Sequence, residues 1–184
     1  DVELPFTEDK WLRAIQYIAG KESVLHHLVT FVTAPDEDFW GDERISESVT
    51  RRFVGSYLPG KTNAIEFDEG TGVLVPQGHR LSMQFHYVTN GQSAVDETQF
   101  GLYFSDEPNL KERLTHAVAS RFLLPPNVND FELQAEQQVE QDIIVTGVRA
   151  RMNFRGKRMK FVVENPEGQT RELFSVPAYN YGWQ

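Results

Sequence analysis

The chain has 184 residues, 12% of them aromatic, and a formal net charge of −9. That length fits one large domain or two small ones, and the 13 Phe allow a sizeable core. No basic stripe offsets the acidity, which argues against nucleic acid or an anionic membrane as partner; zero cysteines exclude disulfides, haem attachment and thiolate metal sites. No apolar run reaches transmembrane length, so membrane insertion is not expected. Asp1-Val2-Glu3-Leu4-Pro5 does not read as a signal peptide, so either a leader has been removed or the chain is a segment of something longer.

In chain order, Thr7 to Trp11 reads as a turn. Trp11 to Ile18 alternates, setting Trp11, Arg13, Ile15 and Tyr17 against Leu12, Ala14, Gln16 and Ile18. Val24 to Thr33 carries apolar residues on both faces, as a strand buried between layers does. Asp36 to Arg51 is acidic and irregular and reads as a long loop, with Phe39 and Trp40 either packed over the protein or forming a contact surface. Leu81 to Thr89 alternates, with Leu81, Met83, Phe85 and Tyr87 toward a core and Ser82, Gln84 and His86 away from it. Gln99 to Phe104 is a further strand, after which Glu107-Pro108-Asn109 breaks the pattern and marks a domain boundary, giving domains 1–109 and 110–184. Strand-like runs continue at Leu114 to Leu123, Phe131 to Val139, Asp142 to Phe154, Met159 to Glu164 and Thr170 to Ser175, the last two separated by Asn165-Pro166-Glu167-Gly168. Short strands at regular spacing predict an all-β sandwich architecture. The second domain is short for a complete sandwich. A half sandwich would expose strand edges, so the natural chain is expected to continue beyond Gln184, or another chain to complete the sheet.

Three of the five histidines fall in two of these strands. Imidazole is the commonest side-chain ligand for copper and zinc, so His26, His27 and His86 are the candidate metal ligands. Adjacent residues on a regular strand face opposite ways, so His26 and His27 can share an ion only if the strand is bulged or strongly twisted there. Without such a distortion only one of them is a ligand, and both must still find partners, because an unpaired buried polar group is costly. His79 reads as an exposed turn residue, and His116 lies on a strand with no spacing that calls for ligation. The acids show no paired arrangement suited to hydrolysis, and no catalytic triad order, phosphate loop or dinucleotide fingerprint is present.

The segments His26-His27-Leu28-Val29-Thr30-Phe31, Gly55-Ser56-Tyr57-Leu58-Pro59-Gly60, Val75-Pro76-Gln77-Gly78, Met83-Gln84-Phe85-His86-Tyr87 and Gly101-Leu102-Tyr103-Phe104, in that order over nearly the whole chain, resemble the copper type II, ascorbate-dependent monooxygenases. That family includes the peptidylglycine alpha-hydroxylating and dopamine beta-monooxygenases, and the chain looks closest to the bacterial branch. The resemblance implies two consecutive jelly-roll-like antiparallel β-sandwiches, the second incomplete here, and a periplasmic or extracellular location. It also implies that His26, His27 and His86 hold the electron-transfer copper. The oxygen-activating copper of the family uses a His-x-His pair before Arg-Gly-Lys. Here the matching stretch is Ala150-Arg151-Met152-Asn153-Phe154-Arg155-Gly156-Lys157, with Arg151 and Asn153 in the histidine positions. Arginine offers no lone pair and brings a fixed positive charge, and Met152 is expected to pack rather than ligate, so the second copper site is expected to be absent.

Two function classes remain open. One is a copper-binding relative that keeps the electron-transfer triad without the oxygen site, or a metal-free structural or assembly module. The other is an active monooxygenase inserting oxygen from dioxygen into a C–H bond with ascorbate or another reductant. Zinc in place of copper also suits three histidines.

Overall fold

The computed structural model describes residues 1–38, 48–119 and 122–181. Phe39 and Trp40 lie outside the described residues. The protein is all-β, with no helix among the described residues. The chain divides into two compact units, Asp1–Gln137 and Gln138–Gln184.

The first unit contains ten strands: β1 (Val2–Glu3), β2 (Lys10–Ile18), β3 (Leu25–Thr33), β4 (Ser48–Tyr57), β5 (Ile65–Glu66), β6 (Thr71–Val75), β7 (Arg80–Tyr87), β8 (Gln99–Ser105), β9 (Lys111–Glu112) and β10 (Thr115–Val118). One sheet runs β1-β7-β3-β4-β10 and is antiparallel throughout. In the other, β2 pairs with β5, β6 and β8, and β9 joins β6 in parallel. The core collects Leu12, Ile15, Tyr17, Val73 and Val75 from this second sheet and Leu25, Leu28, Val32, Val54, Tyr57 and Leu81 from the first. Across it the Tyr17 hydroxyl donates to Thr30 Oγ1 at 2.8 Å, both residues buried. A buried polar pair bonded to itself avoids the cost of an unmet donor. Gly55 sits where a Cβ would come within 2.9 Å of Ile15 Cγ2, so a side chain there would wedge β4 away from β2.

Strict alternation breaks where the partner strand requires it. The β2–β8 register shifts between Leu12 and Ala14, so Arg13 is an extra, exposed residue and Leu12 joins Ile15 and Tyr17 on the core side. Sequence alternation had set Leu12 against Ile15. The acidic stretch ends earlier than its composition suggested, because Ser48 to Arg51 already belong to β4. Two strands at the centre of the fold, β4 and β6, also fall where no strand was expected. Of the predicted core row on β7, Leu81 is fully buried and Met83 packs on the core, whereas Phe85 and Tyr87 emerge to 38% and 51% exposure.

The second unit holds a hairpin, β11 (Met159–Glu164) and β12 (Thr170–Val176). Its turn is closed by the Gly168 amide donating to the Asn165 carbonyl at 2.9 Å, with Gly168 at φ 78°. The expected strands over Phe131 to Val139 and Asp142 to Phe154 do not form. The first is interleaved with Glu132, Gln134, Glu136, Gln137 and Gln138, residues that favour strands weakly. In the second, Ile143, Ile144 and Val145 are exposed and no described strand pairs with them.

Leu28 is fully buried at the middle of β3. Leu28→Ala is expected to cost about 2–5 kcal/mol in denaturant unfolding, and a loss below about 1 kcal/mol would show that this is not the packed centre.

Candidate metal centre

The two histidine-bearing strands are neighbours. β3 and β7 pair with Leu25 opposite Tyr87, His27 opposite His86 and Leu28 opposite Phe85. The ladder shifts between Leu25 and His27, which makes His26 the inserted residue of a β-bulge. Packing explains the insertion. Leu25 and Leu28 are both fully buried in the core, yet residues three apart on an unbroken strand face opposite ways. One extra residue restores their parity. It also takes His26 out of the alternation and leaves His27 beside His86 on the side away from the core.

The three imidazoles consequently meet. His26 Nδ1 lies 2.8 Å from His27 Nδ1, with the rings edge to face at 5.1 Å between centroids. His27 stacks on His86 at 3.9 Å with only 14° between the ring planes. His27 is buried; His26 and His86 are partly buried.

As a ligand set, these residues fit a soft-to-borderline cation in donor type. Two nitrogens bound at about 2.0–2.1 Å to one ion span 2.8 Å at roughly a right angle, so the His26–His27 Nδ1 separation matches that of a chelate, but at this distance the two atoms are hydrogen-bonded to each other and would have to turn to a common point. The stacked pair does not yet converge. An imidazole lone pair lies in the ring plane, so two nearly parallel rings cannot aim at one point between them, and His86 would have to turn about its χ2 to join. In keeping with this, no group of three His, Asp or Glu side chains is already placed to hold an ion among the described residues.

The other two histidines stand apart. His79 remains in the turn before β7, its Nδ1 3.5 Å from the Gln77 carbonyl. His116 pairs opposite Thr50 on β10, two strands from β3 and level with the end of the sheet away from His27.

Arg151 and Asn153 are exposed in the second unit, on a segment that is not a strand. The Gly156 amide donates to the Asn153 carbonyl at 2.8 Å, closing a turn over 153–156. The Tyr179 hydroxyl donates to the Met152 carbonyl at 2.6 Å and accepts the Met152 amide at 3.3 Å. Phe154, next to Asn153 in the sequence, is 79% exposed.

Sequence reading missed two tyrosines near the triad. The Tyr87 hydroxyl donates to Asp96 Oδ2 at 2.8 Å. Burial, this hydrogen bond and the Asp96 charge together push the Tyr87 phenol up to about 12. Tyr57, opposite Leu28, is buried, and its hydroxyl has no hydrogen-bond partner among the described residues. Burial and then the charges of Glu22 and Asp96 raise its pKa. Both tyrosines lie in segments quoted for the family resemblance, which gives neither of them a role, and Asp96 reaches Tyr87 from a loop whose path its own sequence does not encode.

No family model, no curated protein and no solved structure matches this chain.

A phenol whose folded pKa lies above its unfolded value of about 10 stabilises fully below pH 10 and loses that contribution as pH rises toward 12. Wild type should therefore exceed Tyr87→Phe in stability at pH 9, with the gap closing by about pH 12. A Tyr87 that titrates near 10 by absorbance at 295 nm would contradict the Asp96 contact.

Proposed function

We propose that the chain is a copper-binding protein that holds one ion through His26, His27 and His86 and lacks an oxygen-activating second site. The observation that carries this reading is the bulge at His26, which brings two Nδ1 atoms to 2.8 Å beside a third imidazole. Copper bound by imidazoles would supply one-electron transfer. The chain's part is to present three imidazoles side by side and to shield His27 from water.

The order of segments that resembles the ascorbate-dependent monooxygenases favours copper over zinc and an exported protein, periplasmic or extracellular. Within that resemblance Arg151 and Asn153 stand where the second pair of ligands would be, and neither supplies an imidazole. Insertion of oxygen into a C–H bond with ascorbate as reductant is therefore the weaker alternative. A metal-free structural module is the other. It is favoured by the Nδ1–Nδ1 contact and the stacking, which let the histidines satisfy one another, and by the absence of a preset three-ligand group among the described residues.

Copper titration of the purified chain, followed by elemental analysis and electron paramagnetic resonance of the oxidised protein, separates these readings. The proposal expects one copper per chain, a resonance from imidazole-ligated copper, and at least tenfold weaker binding in His86→Ala. Equal binding in wild type and His86→Ala would reject the triad. Zinc alone would reassign the ion, and hydroxylated product would restore the enzyme.

A further inference from the structure

One carboxylate gathers donors from several segments at the end of the sheet that carries the histidines. Asp96 Oδ1 accepts the Lys21 amide at 2.9 Å, and Asp96 Oδ2 accepts the Tyr87 hydroxyl at 2.8 Å. The Thr98 hydroxyl donates across both oxygens at 2.9 and 3.0 Å, and itself accepts the Gly20 amide at 3.2 Å. Charge-assisted bonds of this kind are the strong ones. The segments are pressed together, because a Cβ on Gly20 would fall 2.3 Å from the Glu97 nitrogen.

The contacts close a ring. Lys21 O accepts the Val24 and Leu25 amides at 3.1 and 3.0 Å, and Val24 O accepts the Val88 amide at 2.8 Å. Tyr87 then leads back to Asp96. This ring encloses the two points from which the site is hung: Leu25 precedes His26, and Tyr87 follows His86. Beyond the bulge the β3–β7 ladder retains only the Leu25–Tyr87 pair. A strand end held by one pair frays readily, so a second restraint is needed if the bulge is to keep its register against His86.

We infer that Asp96 is a positioning residue for the histidine cluster, latching the His26 bulge to the His86 end of β7 without touching an imidazole. Its bearing on metal affinity rests on the copper reading; its bearing on ring placement does not. The latch acts through backbone, and its loss lets the Leu25–Tyr87 pair open while the core beneath stays formed.

The test compares the full-length wild type with Asp96→Ala and with Tyr87→Phe, which removes a single hydroxyl and serves if the alanine variant fails to fold. Three readouts are taken: amide hydrogen exchange at Leu25 and Val88, imidazole nitrogen signals of His26, His27 and His86 in the metal-free chain, and copper affinity by competition. Either variant should speed exchange at Leu25 and Val88 severalfold or more while Val73 in β6 is unchanged. The imidazole signals should shift in the metal-free protein, and copper binding should weaken about tenfold or more at unchanged stoichiometry. Unchanged imidazole signals in a folded variant would overturn the inference even if exchange quickens, since the latch would then be structural only. Copper binding that stays at wild-type strength would overturn its bearing on the metal. A wild type that takes up no copper would defeat the copper reading alone, and the metal-free signals would still decide the latch.

Discussion

The fold and the candidate site both depend on one inserted residue. β3 must bury Leu25 and Leu28 on the same side, and a regular strand cannot do so. A bulge interrupts the ladder, at a cost on the order of one hydrogen bond, about 0.5–1.5 kcal/mol. Burying a leucine contributes about 1.5–3 kcal/mol, so keeping both inside wins. Which residue is expelled is then chemistry: His26 is the polar residue next to the gap. The clustered imidazoles are thus a by-product of core parity before they are anything else, and that by-product is what makes the site available. The same rule operates at Arg13 in β2, where Leu12 and Ile15 share the core; in β4 the register against β3 also slips, between Thr30 and Phe31, but there the extra residue, Val54, is itself buried in the core. In each strand the local pattern yields to the sheet it pairs with.

That rule also sets what could be read from residues alone. β2, β7, β8, β11 and β12 are evident from strand-like spacing and from the turns between them, β3 from its run of apolar residues on both faces, and the all-β class follows from them. β4 was hidden because Arg51 and Arg52 follow an acidic stretch and mask Phe53 to Tyr57, and β6 because Thr71 and Gly72 look like turn residues. The histidines were visible as a pair plus one. Their convergence was visible only as a condition, since a bulge is decided by neighbours that lie fifty or more residues away. The Asp96 latch was out of reach for the same reason in part: Tyr87 and Thr98 are close to it in sequence, but the Lys21 amide that reaches Asp96 and the Gly20 amide that reaches Thr98 are brought there only by the closed sheet.

The region after β10 shows the opposite failure. Phe131 to Val139 and Asp142 to Phe154 have apolar residues in strand-like spacing, yet the ladder they would need is absent among the described residues. Apolar alternation reports a tendency to bury one face, and without a partner edge it does not fix a strand. Met159–Glu164 and Thr170–Val176 succeed because the Asn165–Gly168 turn supplies each with a partner at once, and Phe161 faces Phe174 across the pair.

The 2.8 Å contact between His26 and His27 carries a further physical consequence. Two neutral imidazole nitrogens presenting lone pairs to each other would repel, so one of them must carry a proton directed at the other. The pair therefore holds the proton in the place where a cation would sit. On the copper reading, an ion that takes both Nδ1 atoms requires that proton to move to the Nε2 of the same neutral ring, a change of tautomer. Burial of His27 sharpens the competition, because charge placed beside it is poorly solvated and must be met by ligands. His86 is the group able to supply that compensation, since leaving its stack on His27 is a rotation within one side chain while the strands stay paired. On the copper reading, the bulge sets two of the donors side by side, the proposed Asp96 latch keeps the third beside them, and the proton between the first pair has to change nitrogen before an ion can use both.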